Sequence, residues 1–445
     1  MIIHKSKYFN IFVKTTLVMK YEAIDYNLFI KNRALLSGKL EDNSIAIFNA
    51  NDIMPTNSDG TMPFKQNSDL FWLTGVDQEE SVFVMVKNEN NTKELLFLKE
   101  TNEHIAIWEG AKLSKNQAYK NSGIKEVYWL SDLEKTISSE VAKIKNLYLN
   151  KNIHSRSTSE VQTRDDRFRE DIKNKFPEKE IKEVAPIMHE LRFIKSEIEV
   201  GLIQHACNIT EKGLRRILPL IKPGIMEYEI EAELMHEFLS NRSAGFAYQP
   251  IIGSGIDSCV LHYIENNKKC LDGDILLMDF GAEYANYASD LTRTVPVNGR
   301  FSKRQKNVYN AVHRVMKQAT NMLRPGTDHK KMQQEVIKIM EEELIQLNLF
   351  DKHDVQKQDP KNPLYKKYFM HGTSHSLGLD VHDVGDTSTP MKPGMVFTCE
   401  PGIYIREEGI GIRLENDILV TTGEPKDLME NIPIEIEEIE GLMNG

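Results

Sequence analysis

The chain has 445 residues, 40% apolar and 27% charged, an ordinary balance for a globular protein whose length exceeds what one hydrophobic core usually serves. Its 56 Lys and Arg against 66 Asp and Glu leave a net charge of −10, which removes any general electrostatic reason to expect nucleic acid or an anionic membrane as partner. Cys207, Cys259, Cys270 and Cys399 share no C-x-x-C spacing, so neither a disulfide framework nor a structural zinc site is expected, and a reducing cytoplasm fits.

Residues 1–20 read as a basic extension. Their apolar triplet Ile11-Phe12-Val13 is cut off by Lys14, so no signal-peptide core forms, and Met19 offers a second start. No run in the chain approaches membrane-spanning length. Residues 21–160 alternate short apolar runs, such as Ser44–Phe48, Ser81–Val86 and Glu94–Leu98, with polar punctuation and helical patterns, which predicts an α/β layer domain. Residues 161–185 are highly charged, offer little to bury, and are expected to be a connection to a second domain, 186–445.

That second domain repeats itself. An amphipathic helix through Ile198, Leu202, Ile209 and Ile217, a Pro223-Gly224 stop and a helix through Ile230, Leu234 and Phe238 are echoed later. The echo is a helix through Val308, Val312 and Val315, a Pro325-Gly326 stop and a helix through Met332, Val336 and Met340. More telling, Gly273–Gly281 lines up with Gly394–Gly402: each is an apolar strand between glycines with an acid, Asp279 or Glu400, six residues after the first. Another acid follows in each half, Asp290 after 11 residues and Glu415 after 15. Such an internal duplication predicts paired carboxylates meeting at a pseudo-twofold axis.

One acid at a strand end is more often a turn former than a ligand, but four in duplicated positions alter the balance. Converging buried carboxylates cannot all stay ionised without cations, and two divalent ions would match four negative charges. Four carboxylates and one imidazole make a hard, oxygen-rich set that suits manganese, with cobalt or zinc as substitutes. Asp290 and Glu415 are expected to bridge, and Arg413, on the strand face of Glu415, to sit beside them.

The histidines of His371–His382 differ in role. Gly372, Thr373 and Gly378 argue for an extended or looped segment rather than a helix. His375 has the best claim as a ligand and His371 as its neighbour, while His382 and His262 are candidates to hydrogen-bond substrate or a developing oxyanion. His154, His236 and His329 receive structural readings. No H-E-x-x-H, G-x-S-x-G, Walker or complete dinucleotide-loop sequence occurs.

Several stretches together resemble the pita-bread metallopeptidases and, within them, the aminopeptidase P (Xaa-Pro aminopeptidase) family. They are Ile252–Gly255 with Leu261–Tyr263, Met278–Gly281, Tyr287–Gly299, Phe369–Gly385, Glu400–Tyr404 and Gly409–Asp417, with Asn67–Gly75 resembling that family's amino-terminal domain. The resemblance implies an N-terminal α/β domain of the creatinase/aminopeptidase P type followed by a pseudo-twofold pita-bread catalytic domain. It implies that Asp279 and Asp290 hold one metal, His375 and Glu400 the second, that Asp290 and Glu415 bridge, and that His262, His371, His382 and Arg413 line the site. The expected reaction is removal of the first residue from peptides with proline second, by a hydroxide shared between two metal ions, with Glu400 passing a proton to the proline nitrogen. A proline dipeptidase of the same fold is the alternative, disfavoured by Thr373-Ser374 ahead of His375; a non-catalytic binding protein is a more distant one. The resemblance also implies homodimers or homotetramers in which Trp108 approaches a neighbour's site.

Overall fold

The computed structural model describes residues 20–89 and 91–445, so the extension expected over residues 1–20 lies outside the described residues apart from Lys20. The chain divides into two compact units, Met1–Met188 and His189–Gly445, the division falling within the helix Ala185–Phe193. Among the described residues no helix is long and apolar enough to cross a membrane.

The first unit is built on a six-stranded sheet with strands β1 (Ser44–Asn49), β2 (Val82–Asn88), β3 (Asn91–Leu98), β4 (Glu126–Trp129), β5 (Asn146–Leu149) and β6 (Ile181–Glu183). Their order is β4-β3-β2-β1-β5-β6. The β1–β2 and β2–β3 pairs are antiparallel, whereas β3–β4, β1–β5 and β5–β6 are parallel. Every residue of central β1 is buried, which is why Ser44-Ile45-Ala46-Ile47-Phe48 reads as a continuous apolar run rather than an alternation. Ile45, Ile47, Val84, Phe97, Leu147 and Leu149 belong to one core cluster.

Residues 161–185 differ from the connection expected of them. Helix Arg164–Lys175 opens on a Thr163/Asp166 capping box, and Ile181–Glu183 joins the sheet beside β5. Phe168, Ile172 and Phe176 recur at helical spacing and pack, with Ile181, on the sheet core. A narrow apolar stripe suffices to dock a helix whose other faces carry charge.

In the second unit, helices Glu197–Ile217 and Glu227–Ser240 pack together, as do Lys303–Met322 and His329–Gln346. The strands are β7 (Gly245–Phe246), β8 (Ile251–Ser254), β9 (Ile275–Phe280), β10 (Ala282–Tyr284), β11 (Tyr287–Ala288) and β12 (Leu291–Pro296) in the first half. The second half holds β13 (Val396–Cys399), β14 (Gly402–Ile405), β15 (Ile410–Arg413), β16 (Asn416–Leu419) and β17 (Lys426–Asp427). The sequence echo is an architectural one. In each half an antiparallel pair, β9 with β12 or β13 with β16, encloses a hairpin, β10–β11 or β14–β15. Gly281 makes the first hairpin possible, because a Cβ there would lie 1.8 Å from the carbonyl oxygen of Ser289. The two halves meet at an isolated antiparallel bridge between Thr292 and Glu415.

Candidate active site

The bridge between the halves sets the site. Asp279 lies on β9 opposite Thr292 of β12, and Asp290 immediately precedes β12. The Glu415 N–H donates to the Thr292 carbonyl at 3.1 Å, while the Thr292 hydroxyl donates to Glu415 Oε2 at 2.6 Å. Glu400 follows β13, its N–H donating to the Thr373 carbonyl at 2.8 Å. Thr373 belongs to the His371–His375 segment, which is a loop, as Gly372 and Thr373 led one to expect. The structure thus brings all four acids to the seam between the two halves.

His375 completes the group. Its Nδ1 faces the Ser376 carbonyl at 3.1 Å, which leaves Nε2 to face Asp290 at 3.4 Å and Glu400 at 3.7 Å. Ligand atoms of Asp290, His375 and Glu415 all lie within 4.8 Å of one another. Arg413, 3% exposed, spreads its guanidinium among Asp279 Oδ2 (2.6 Å), the Thr292 hydroxyl (3.1 Å) and the Tyr404 hydroxyl (2.8 Å).

The electrostatics of this cluster test whether it fits cations. Burial, reinforced by Asp290, Glu400 and Asp279, pushes the Glu415 carboxyl far above its ordinary range. Burial likewise raises Asp279 against the pull of Arg413, and raises Glu400 to about 7 against the pull of His375 and Arg413. Burial opposes charge on His375, yet Asp290 and Glu400 hold its imidazole up at about 9. Such acids retain protons that divalent cations would displace, and oxygen donors with one imidazole are the chemistry hard divalent ions bind. The residues present fit divalent metal ions.

The remaining histidines surround this core. His371 is held neutral, its imidazole pushed down to about 4 by burial and by Arg413. Its Nε2 meets the Tyr404 hydroxyl at 2.8 Å and its Nδ1 lies 3.8 Å from Glu400. His382 is exposed, with its ring centroid 4.5 Å from that of His375. His262 is exposed and near enough to His371 to oppose its protonation. The loop carrying His262 is pinned by buried Glu227, which accepts the Tyr263 hydroxyl, the Lys268 N–H and both donors of Ser254, each at 2.9 Å. His329, read as structural, meets the Ser374 carbonyl at 3.0 Å.

Sequence reasoning missed four contributors. The Tyr248 hydroxyl lies 2.6 Å from Asp279 Oδ1 and 2.5 Å from Asp290 Oδ1, so both carboxylates converge on one phenol. Tyr404 and Thr292 hold Arg413, His371 and Glu415 as described. Asp417 Oδ2 accepts the Asp290 N–H at 3.0 Å and the Cys207 thiol at 3.4 Å from behind the cluster. Tyr404, Thr292 and Asp417 stand in stretches singled out for other residues; Tyr248 stands in none.

Comparison with known proteins decides the family. Residues 201–422 match metallopeptidase family M24, and residues 29–148 match the aminopeptidase P N-terminal domain. A Xaa-Pro aminopeptidase from Haemophilus influenzae is 34% identical, covering 94% of this chain and 97% of its own. The chain belongs to the Xaa-Pro aminopeptidase family. The Escherichia coli Xaa-Pro aminopeptidase is 33% identical over 93% of this chain and 97% of its own. The structure of Escherichia coli aminopeptidase P with the inhibitor Pro-Leu matches with a TM-score of 0.86 and 31% identity, covering 95% of this chain and 99% of that one. As a family member the chain is a metallopeptidase, a hydrolase that uses divalent metal ions, and its fold is an aminopeptidase P-type N-terminal domain followed by a pita-bread domain.

Proposed function

We propose that this enzyme releases the first residue from peptides with proline in second position, using two divalent ions, manganese first and cobalt or zinc as substitutes. Asp279 and Asp290 hold one ion, His375 and Glu400 the other, and Asp290 and Glu415 are shared. The observation that carries this reading is the convergence of three buried acids, the half-buried Glu400 and His375 Nε2 at the seam of the two halves. Ions bound there supply an acidified water and a Lewis acid for the scissile carbonyl.

The chain's own groups do the rest. Arg413 orients Asp279 and opposes its protonation, with support from their 2.6 Å contact. Glu400 delivers a proton to the proline nitrogen as the bond breaks, supported by its position between His371 and His375. His262 and His382 hydrogen-bond the peptide and the developing oxyanion, supported by their exposure beside the half-buried His371 and His375. The proline nitrogen has no hydrogen and its ring fixes φ, so recognition must use the ring's shape rather than an N–H at that bond.

Manganese-loaded protein incubated with Xaa-Pro-Yaa tripeptides and Xaa-Pro dipeptides tests the reading. Release of the first residue from tripeptides is expected; cleavage of dipeptides alone favours the dipeptidase alternative, and cleavage of neither refutes both. We also infer a cytoplasmic homo-oligomer. Four free cysteines support the compartment, and Trp108 at 75% and Ile107 at 67% exposure support a subunit contact. Light scattering across a dilution series checks the assembly.

A further inference from the structure

A second group of charges lies in the same unit. Lys195 and Asp383 form an ion pair 3.0 Å apart with side chains 1% and 2% exposed. Arg192, 4% exposed, completes it: its Nη2 reaches Asp383 at 2.5 Å and Asp380 at 2.7 Å. Asp380 and Asp383 flank Val381 and His382, so a single guanidinium grips the chain on both sides of that histidine.

The loop is shaped to this grip. A Cβ at Gly378 would lie 2.2 Å from Asp383 Oδ2 and 2.9 Å from Lys195 Cε, so the backbone at that position closes directly over the ion pair. Within the loop, the Gly378 N–H donates to the Asp380 carbonyl at 3.1 Å and the Asp383 N–H to the Ser376 carbonyl at 2.9 Å. The Lys195 N–H donates to the Gly394 carbonyl at 2.8 Å, which ties the same segment to the turn before β13. Buried ion groups of this kind contribute little stability over apolar residues of like volume; what they fix is geometry.

We propose that Arg192 and Lys195 are positioning residues for the peptidase reaction, holding His382 through Asp380 and Asp383 at the rim where it meets the peptide. This rests on the peptidase reading of the site. It differs from a general structural role in one respect: the effect of breaking the grip passes through His382.

The experiment is a double-mutant cycle on the manganese-loaded full chain with an Xaa-Pro-Yaa tripeptide. Arg192→Lys keeps the charge but loses the fork, and is expected to lower kcat/KM at least about tenfold in the wild-type background. In a His382→Ala background the same change is expected to cost less than about twofold. Equal losses in both backgrounds, no loss in the first, or no effect of His382→Ala itself overturns the proposal. Asp380→Asn, at a partly exposed position, makes the same cut if Arg192→Lys does not fold. The imidazole resonance of His382, assigned by its loss in His382→Ala, provides a readout independent of turnover. It is expected to shift in Arg192→Lys, and an unmoved resonance overturns the proposal. A wild type that leaves the tripeptide uncut while the resonance shifts refutes the substrate reading instead.

Discussion

The Tyr404 hydroxyl donates its proton to Nε2 of His371 at 2.8 Å, because its other neighbour, Arg413 Nη1 at 2.8 Å, can only donate. The proton on His371 therefore sits on Nδ1, which faces the Gly372 carbonyl at 2.7 Å. Tyr404→Phe leaves a buried guanidinium donor and an imidazole nitrogen unpaired. We expect kcat to fall about tenfold, equivalent to about 1.4 kcal/mol, with the circular dichroism spectrum intact. Steady-state kinetics at wild-type kcat would refute the role of the hydroxyl.

Tyr248→Phe removes the phenol on which Asp279 and Asp290 converge. The carboxylates lose a fixed orientation, so divalent-ion affinity should drop about 10- to 100-fold. Titration with manganese followed by elemental analysis after dialysis measures it; affinity equal to wild type would show that the phenol is incidental.

Chelation tests the cation site in another way. A ligand that binds only the folded chain stabilises it by about 4 kcal/mol at a thousandfold excess over Kd, so manganese should raise the melting temperature of the stripped protein. Asp290→Ala should abolish both that rise and peptide cleavage. Near-normal turnover in Asp290→Ala would remove Asp290 from the ligand set.

Asp165 governs a pH dependence in the first unit. Burial, partly offset by the 2.9 Å hydrogen bond from Asn49, pushes its carboxyl from the usual 3.8 up to about 6. With the folded pKa above the unfolded one, the unfolded chain ionises first, and stability falls as pH rises from about 4 to about 6. Asp165→Asn should raise the melting temperature at neutral pH by an increment that shrinks as the pH is lowered towards about 4.5. An increment independent of pH would refute the shift.

Glu227 accepts four hydrogen bonds, two from Ser254 at the end of β8 and two from Tyr263 and Lys268 in the loop that bears His262. Glu227→Ala should destabilise the fold by roughly 3 kcal/mol or more, since several buried donors lose their acceptor together. Denaturant unfolding measures it, and a loss below about 1 kcal/mol would mean that water replaces the carboxylate.

Much of the site was legible because chemistry and periodicity coincide there. Asp279 and Glu400 stand at equivalent places in duplicated apolar strands, and Asp290 and Glu415 each stand just ahead of the returning strand, so spacing alone paired them. Tyr248 escaped because it stands in an irregular loop and meets carboxylates 31 and 42 positions later, a relation only the folded chain creates. The helix Arg164–Lys175 was hidden for the opposite reason. Its few apolar residues are enough to dock it, yet they are outnumbered by charges that composition weighs equally. Asp417 escaped although it closes the stretch Gly409–Asp417, because its partners, Asp290 and Cys207, come from distant segments.

The seam between Thr292 and Glu415 joins residues 123 positions apart. During synthesis both aspartates, Asp279 and Asp290, emerge long before their partners and wait as ordinary acids on an unfinished half. A chain halted just before Glu415 already holds three of the four carboxylates and His375, yet lacks the strand that brings the halves into register. Maturation therefore waits for residues made long after the two aspartates, and contacts of such long sequence separation form slowly. Until Glu415 is added, the acids of the first half have no partner strand to set their register, so assembly of the site follows the joining of the halves.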